Sequence, residues 1–195
     1  MPKAALVVVD VQRDFCPGGA LAVADGDTIV PSLNGLISTF RKSRLPIIFT
    51  RDWHPRDHCS FREQGGIWPR HCVERTNGAR FHPKLKVPRE SIIVSKATRR
   101  DIEAYSGFQG TDLEKKLKQL GVAEIFVGGL ATDYCVKQTA LDALGAGFDV
   151  YVMTDCVKGV NVKKGDSLKA LKQITKRGAR LTDSATAMKK SRRAA

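Results

Sequence analysis

Six short apolar runs recur along the chain, at 5–9, 46–50, 91–95, 124–128, 149–154 and 179–182. They are rich in Val and Ile and show almost no apolar–polar alternation, the pattern of strands buried on both faces. Between the runs the apolar spacing becomes helical, over 28–43, 112–120, 133–146 and 166–177. Pro31 suits the first turn of the first of these helices. Gly121, Gly147 and Gly178 follow the other three, where a C-terminal cap belongs. Strands that alternate with helices predict a three-layer α/β/α, Rossmann-like domain around a mostly parallel six-stranded sheet.

Two stretches interrupt this rhythm. From 51 to 88 no helix or strand is predicted, yet the stretch holds both tryptophans, all four histidines and four prolines. A loop of that length in a compact domain is functional or disordered, and its aromatics argue against disorder. The second stretch, 98–111, contains Tyr105-Ser106-Gly107-Phe108. The pattern predicts a single domain over 1–183 and a basic, flexible tail over 184–195.

Composition narrows the class. The chain has 195 residues, 42% hydrophobic and 27% charged, which fits one globular domain with a sizeable core. No apolar run approaches the roughly 20 residues that span a bilayer, and the run 4–9 is too short for a signal-peptide core. Five cysteines cannot all pair within the chain. Free thiols and a cytoplasmic location are therefore expected, with no membrane partner. The formal charge is +13, and twelve of the 33 Lys and Arg fall from Lys158 onward, against two of the 20 Asp and Glu. The basic excess is thus a C-terminal feature. A solvated helix face with a disordered tail accounts for it better than a nucleic-acid surface does. Self-association into a homo-oligomer is left open.

The parallel sheet gives the chemistry a place. Strand C-termini share one edge, and ligands bind there. Asp10 ends the first strand, Asp52 follows the second, Lys96 follows the third, and Cys135 follows the fourth at the start of a helix. Each alone has a plain reading: a turn former, a surface charge, a small buried hydrophobe. Together they form a nucleophile with a base and a cation. The helix start favours the thiolate, and the small residues before Cys135 let backbone N–H groups approach a ligand as an oxyanion hole. Cys16, Cys59, Cys72 and Cys156 lack this setting and read as structural.

A second constellation lies in the long loop. In extended chain Asp52 and His54, two residues apart, point the same way, and His71 supplies a third donor. Two imidazoles and a carboxylate suit a catalytic divalent metal such as Zn, Fe or Mn. His58, Ser60 or water would complete the shell. Ordinary hydrogen-bonded loop histidines are the competing reading, and a structural zinc on His58-Cys59 and His71-Cys72 ranks below both. Phe15, Trp68 and Tyr105 flank these polar groups and either wall a pocket for a flat ring or pack the loop onto the sheet.

Five blocks in register carry a family resemblance: Val7-Val8-Val9-Asp10-Val11-Gln12-Arg13-Asp14-Phe15, Thr50-Arg51-Asp52-Trp53-His54-Pro55, Trp68-Pro69-Arg70-His71-Cys72, Ser95-Lys96, and Gly129-Leu130-Ala131-Thr132-Asp133-Tyr134-Cys135-Val136. Over roughly 4–183 the chain resembles the nicotinamidases, members of the isochorismatase-like cysteine hydrolases. The resemblance implies hydrolysis of nicotinamide to nicotinate and ammonia in NAD salvage, often with pyrazinamide accepted too. It implies a catalytic triad of Asp10, Lys96 and Cys135 that works through a Cys135 thioester. A metal on Asp52, His54 and His71, zinc first among candidates, would anchor the pyridine nitrogen. Phe15, Leu21, Trp68 and Tyr105 would wall the pocket. A cis peptide is implied at Leu130–Ala131, with the N–H groups of Ala131 and Cys135 as the oxyanion hole. The alternatives are another small-amide cysteine hydrolase, acting on a carbamoyl or ureido substrate, and, more distantly, a basic nucleic-acid-binding module on the same fold. The resemblance does not extend to the basic segment after 183.

Overall fold

The computed structural model describes residues 3–193. The six strands are β1 (Lys3–Val9), β2 (Ile47–Asp52), β3 (Ile92–Lys96), β4 (Val122–Leu130), β5 (Asp149–Lys158) and β6 (Arg180–Thr182). They form one sheet in the order β3-β2-β1-β4-β5-β6. Every pairing is parallel, so the sheet is wholly rather than mostly parallel. The order reverses at β1, and β1 and β4 therefore stand side by side at the point where ligands bind in such sheets.

Five helices cover the two faces: α1 (Val30–Lys42), α2 (Leu113–Gln119), α3 (Lys137–Gly145), α4 (Asp166–Lys176) and α5 (Ser184–Arg193). The pleat of β1 divides the core. Ala4, Leu6 and Val8 pack with α1 residues such as Leu33, Leu36 and Phe40, and with Ala187 of α5. Ala5, Val7 and Val9 pack with Leu113 and Leu117 of α2, Ala140 of α3 and Ile174 of α4. All six of these β1 residues are fully buried, which is why the run carries no polar alternation. Pro31 lies in the first turn of α1, and Gly121, Gly147 and Gly178 all take positive φ just past their helices, as the caps predict.

Two elements depart from the sequence expectation. β5 runs on past Thr154 to Lys158, because exposed Thr154 and Asp155 interrupt the apolar run without ending the strand. The sheet register shifts on the neighbouring strand between Val127 and Gly129 to accommodate them. The segment expected as a flexible tail is instead helical over Ser184–Arg193; residues 194 and 195 lie outside the described ones. Ala187 and Ser191 are fully buried, Met188 packs on the α1 side of the core, and Lys190 pairs with Glu124 at 2.6 Å. Small residues at helical spacing, Ser184, Ala187 and Ser191, turn one face of the helix inward despite the surrounding lysines. Among the described residues no helix is long and apolar enough to cross a membrane.

Candidate active site and metal centre

The strand-end residues meet as their order predicts. Lys96, the last residue of β3, is completely buried. Its ammonium lies 2.9 Å from Asp10 Oδ2, contacts Asp52 Oδ1, donates to the Ala104 carbonyl at 3.2 Å and reaches Cys135 Sγ at 3.5 Å. One buried cation thus joins the ends of β1, β2 and β3 to the turn after β4. Thr50 donates to the other Asp10 oxygen at 2.6 Å. Gln12 locks the end of β2, donating to the Asp52 carbonyl at 2.8 Å and accepting the Asp52 N–H at 2.8 Å.

The backbone around these groups is bent into place. Asp10 has φ 47°, Cys72, next to His71, has φ 44°, and Ala97, next to Lys96, has φ 50°. Left-handed conformations cost non-glycine residues on the order of 1–3 kcal/mol each and cluster at functional sites. Gly129, at φ 126°, permits the closest approach: a Cβ there would run into the Val9 backbone. The end of β4 can therefore lie against the residue that precedes Asp10. The Leu130–Ala131 peptide is cis. Thr132–Val136 then form a π-turn that leads into α3, with the Ala131 carbonyl accepting N–H bonds from Tyr134 and Val136, both at 3.1 Å.

Electrostatics alter one sequence expectation. The start of a helix was expected to favour the thiolate. Instead, burial pushes the Cys135 thiol well above its ordinary range; Lys96 opposes this, while Asp10 and Asp52 reinforce it. Burial also raises Asp10 against the pull of Lys96, with Asp52 adding to the rise. Asp52 goes the other way: burial disfavours its charge, but Lys96 and His54 outweigh that and hold it well below the carboxylate range. Two carboxylates in one buried space thus separate into a better base and a fixed anion.

The metal-ligand set also converges. One ligand atom each from Asp52, His54 and His71 lies within 4.8 Å of the others, and all three residues are buried. Both ring nitrogens of His54 are buried without a hydrogen-bond partner, an arrangement that costs stability unless a ligand fills it. The His71 Nδ1 bonds the Pro69 carbonyl at 2.8 Å. That bond fixes the tautomer and turns Nε2 toward the cluster. Burial lowers His71 to about 4, so its ring is neutral and its lone pair available at pH 7. The donor set fits a divalent ion of the zinc type. His58 stands outside the triad: its Nδ1 pairs with Ser60 Oγ at 2.8 Å and its Nε2 with the Ile102 carbonyl at 3.1 Å. Phe61 was not singled out in the sequence. It is fully buried and packs against the rings of His54, His58 and His71 at centroid distances of 5.4, 5.8 and 5.6 Å.

Both groups open into one cavity. Phe15, Leu21, Trp68, Tyr105, Ala131, Cys135, Asp52 and His71 line it, as do Glu103, Tyr134 and Val160, which the sequence did not single out. Trp68 donates its indole N–H to the Tyr105 hydroxyl at 2.9 Å and meets Tyr134 edge-on at 5.0 Å. An aromatic-walled space lined by a thiol and by two of the three metal-set residues, Asp52 and His71, suits a small aromatic amide.

Comparison with known proteins agrees with this chemistry. The isochorismatase domain model matches residues 4–186. The chain is 40% identical to the nicotinamidase of Escherichia coli over 93% of its own length and 95% of that protein. It is 39% identical to the nicotinamidase/pyrazinamidase of Mycobacterium tuberculosis over 80% of its length and 87% of that protein. The crystal structure of Pyrococcus horikoshii pyrazinamidase in complex with zinc superposes with a TM-score of 0.90 at 52% identity, covering 93% of this chain and 99% of that one. The chain belongs to the isochorismatase family.

Proposed function

We propose that this isochorismatase-family chain is a nicotinamidase, an amidohydrolase that converts nicotinamide to nicotinate and ammonia and accepts pyrazinamide as an analogue. One observation carries the reading: a buried Cys-Asp-Lys set and an Asp-His-His metal set share a single aromatic-walled cavity. The relatives named nicotinamidase support it. A carbamoyl or ureido substrate offers no ring nitrogen for a metal to hold, and the metal set thus favours the pyridine amide. The five cysteines are all free, which suits an enzyme of the reducing cytoplasm.

Asp10, Lys96 and Cys135 are assigned the chemistry. The thiol is neutral at rest. As Sγ attacks the amide carbon, its proton passes to Asp10, whose raised pKa makes it the stronger base of the two carboxylates. The N–H groups of Ala131 and Cys135 receive the oxyanion. Asp10 hands the proton to the amine, the C–N bond breaks, ammonia leaves, and a thioester remains. Water then adds to the thioester carbon and gives a proton to Asp10. The C–S bond breaks, the sulfur recovers a proton, and the acid departs. Lys96 holds the developing charge between Asp10 and Cys135 throughout. Asp52, His54 and His71 would hold a divalent ion that supplies a Lewis-acid anchor for the ring nitrogen. Phe15, Leu21, Trp68 and Tyr105 would wall the ring so that its nitrogen can reach that anchor.

The test is ammonia release from nicotinamide by zinc-loaded and chelator-treated protein. Turnover in the first and its loss in the second is the expected result. No release from the metal-loaded protein would overturn the assignment.

A further inference from the structure

Asp133 is 95% buried, two residues from the nucleophile, and the chemistry above gives it no part. It has no ion-pair partner among the described residues. Both of its oxygens are spent on one segment of the loop after β5. Oδ1 accepts the Val160 N–H at 2.9 Å and Oδ2 the Asn161 N–H at 2.7 Å. Val160 lines the cavity together with Tyr134 and Cys135.

The segment has no slack on its other side. Asn161 sits at φ 51°, and its side-chain oxygen accepts the Ser167 N–H at 2.9 Å in the first turn of α4. A Cβ at Gly159 would collide with Ser167 Oγ and come within 2.9 Å of Asp133 Oδ1. Residues 159–161 are thus pressed between α4 and the turn that carries Cys135. A buried carboxylate accepting two backbone N–H bonds makes stiff, charge-assisted contacts. It also lies at the start of the π-turn that leads into α3.

We propose that Asp133 is a positioning residue that sets ring-size specificity: it pins Val160 to the nucleophile turn and so fixes the width of the cavity against the substrate ring. The inference rests on the nicotinamidase reading for its substrate but on the clamp for its geometry. An amide side chain cannot replace the carboxylate, because its NH2 would face one of the two N–H donors. Asp133→Asn therefore frees one end of the clamp and lets the wall recede.

The readout is the ratio of kcat/KM for nicotinamide to that for a wider ring, quinoline-3-carboxamide. A ratio of two substrates on one preparation does not depend on how much of the variant has folded. Asp133→Asn is expected to narrow the ratio about 10-fold, the size of effect that one or two methylenes produce in a fitted pocket. Val160→Ala, which trims the wall directly, should shift it the same way. Amide hydrogen exchange at Val160 and Asn161 gives a second readout that needs no substrate and should quicken in Asp133→Asn. An unchanged ratio in both variants, or unchanged exchange, overturns the clamp. Wild-type protein that leaves nicotinamide untouched would instead sink the nicotinamidase reading, with the exchange measurement still deciding the clamp.

Discussion

The two halves of the cavity are built differently. The half around Cys135 is carried by the sheet. Asp10, Lys96 and the β4 turn stand at strand ends on one edge of the sheet, and Lys96 pairs with Asp10 and Asp52 and donates to the Ala104 carbonyl. The half around His54 is carried by loop. Only Asp52 lies on a strand; His54 is held by an isolated bridge to Val73, both histidines pack on Phe61, and both His54 nitrogens lack hydrogen-bond partners. One half is electrostatically closed by the protein's own residues, whereas the other is complete only with an ion. Strand register thus places the proposed nucleophile, whereas ligation would complete the proposed substrate anchor.

Three substitutions probe that division. Cys135→Ala should have the largest effect, lowering ammonia release at least about 10⁴-fold, while bound zinc stays at one equivalent by elemental analysis. Loss of metal together with activity would mean that the halves are not separable. His54→Ala comes next. Zinc content should fall below about 0.1 equivalent and activity by at least about 100-fold. The Cys135 half should survive, read out as a thiol that still reacts slowly with a small alkylating agent. Phe61→Leu should be mildest, weakening zinc about 10-fold, as loss of supporting contacts around a metal does, with kcat unchanged at saturating zinc. A fall in kcat there would place Phe61 in the support of the nucleophile as well.

The sheet was legible because strands buried on both faces have no polar positions to disguise them, and β1 is the clearest case. Asp10, Asp52, Lys96 and Cys135 were legible because a parallel sheet gathers its strand ends on one edge. The metal triad was legible only as a candidate, since loop histidines that hydrogen-bond look the same in sequence. His58 is one of these, and only its bonds to Ser60 and Ile102 set it apart from His54. The segment 184–193 reads as a tail because its lysines and arginines mask a stripe of small residues, Ser184, Ala187 and Ser191. Of the cavity residues not singled out, Tyr134 carried a signal, adjacency to Cys135. Glu103 and Val160 carried none, because each reaches the cavity from a loop whose path no local pattern encodes.

The alternation of strands and helices is written in local pattern, and with it which reactive groups share an edge. Local periodicity suffices for that, because burial on a strand or helix face is set by neighbours a few residues away. The electrostatics at that edge arise from packing. The depth of burial raises the Cys135 thiol and the Asp10 carboxyl above their ordinary ranges, while the approach of Lys96 from β3 holds Asp52 low. Those interactions span 39 residues or more of chain between Lys96 and its partners on the other strands and the β4 turn, and they exist only once the sheet has closed.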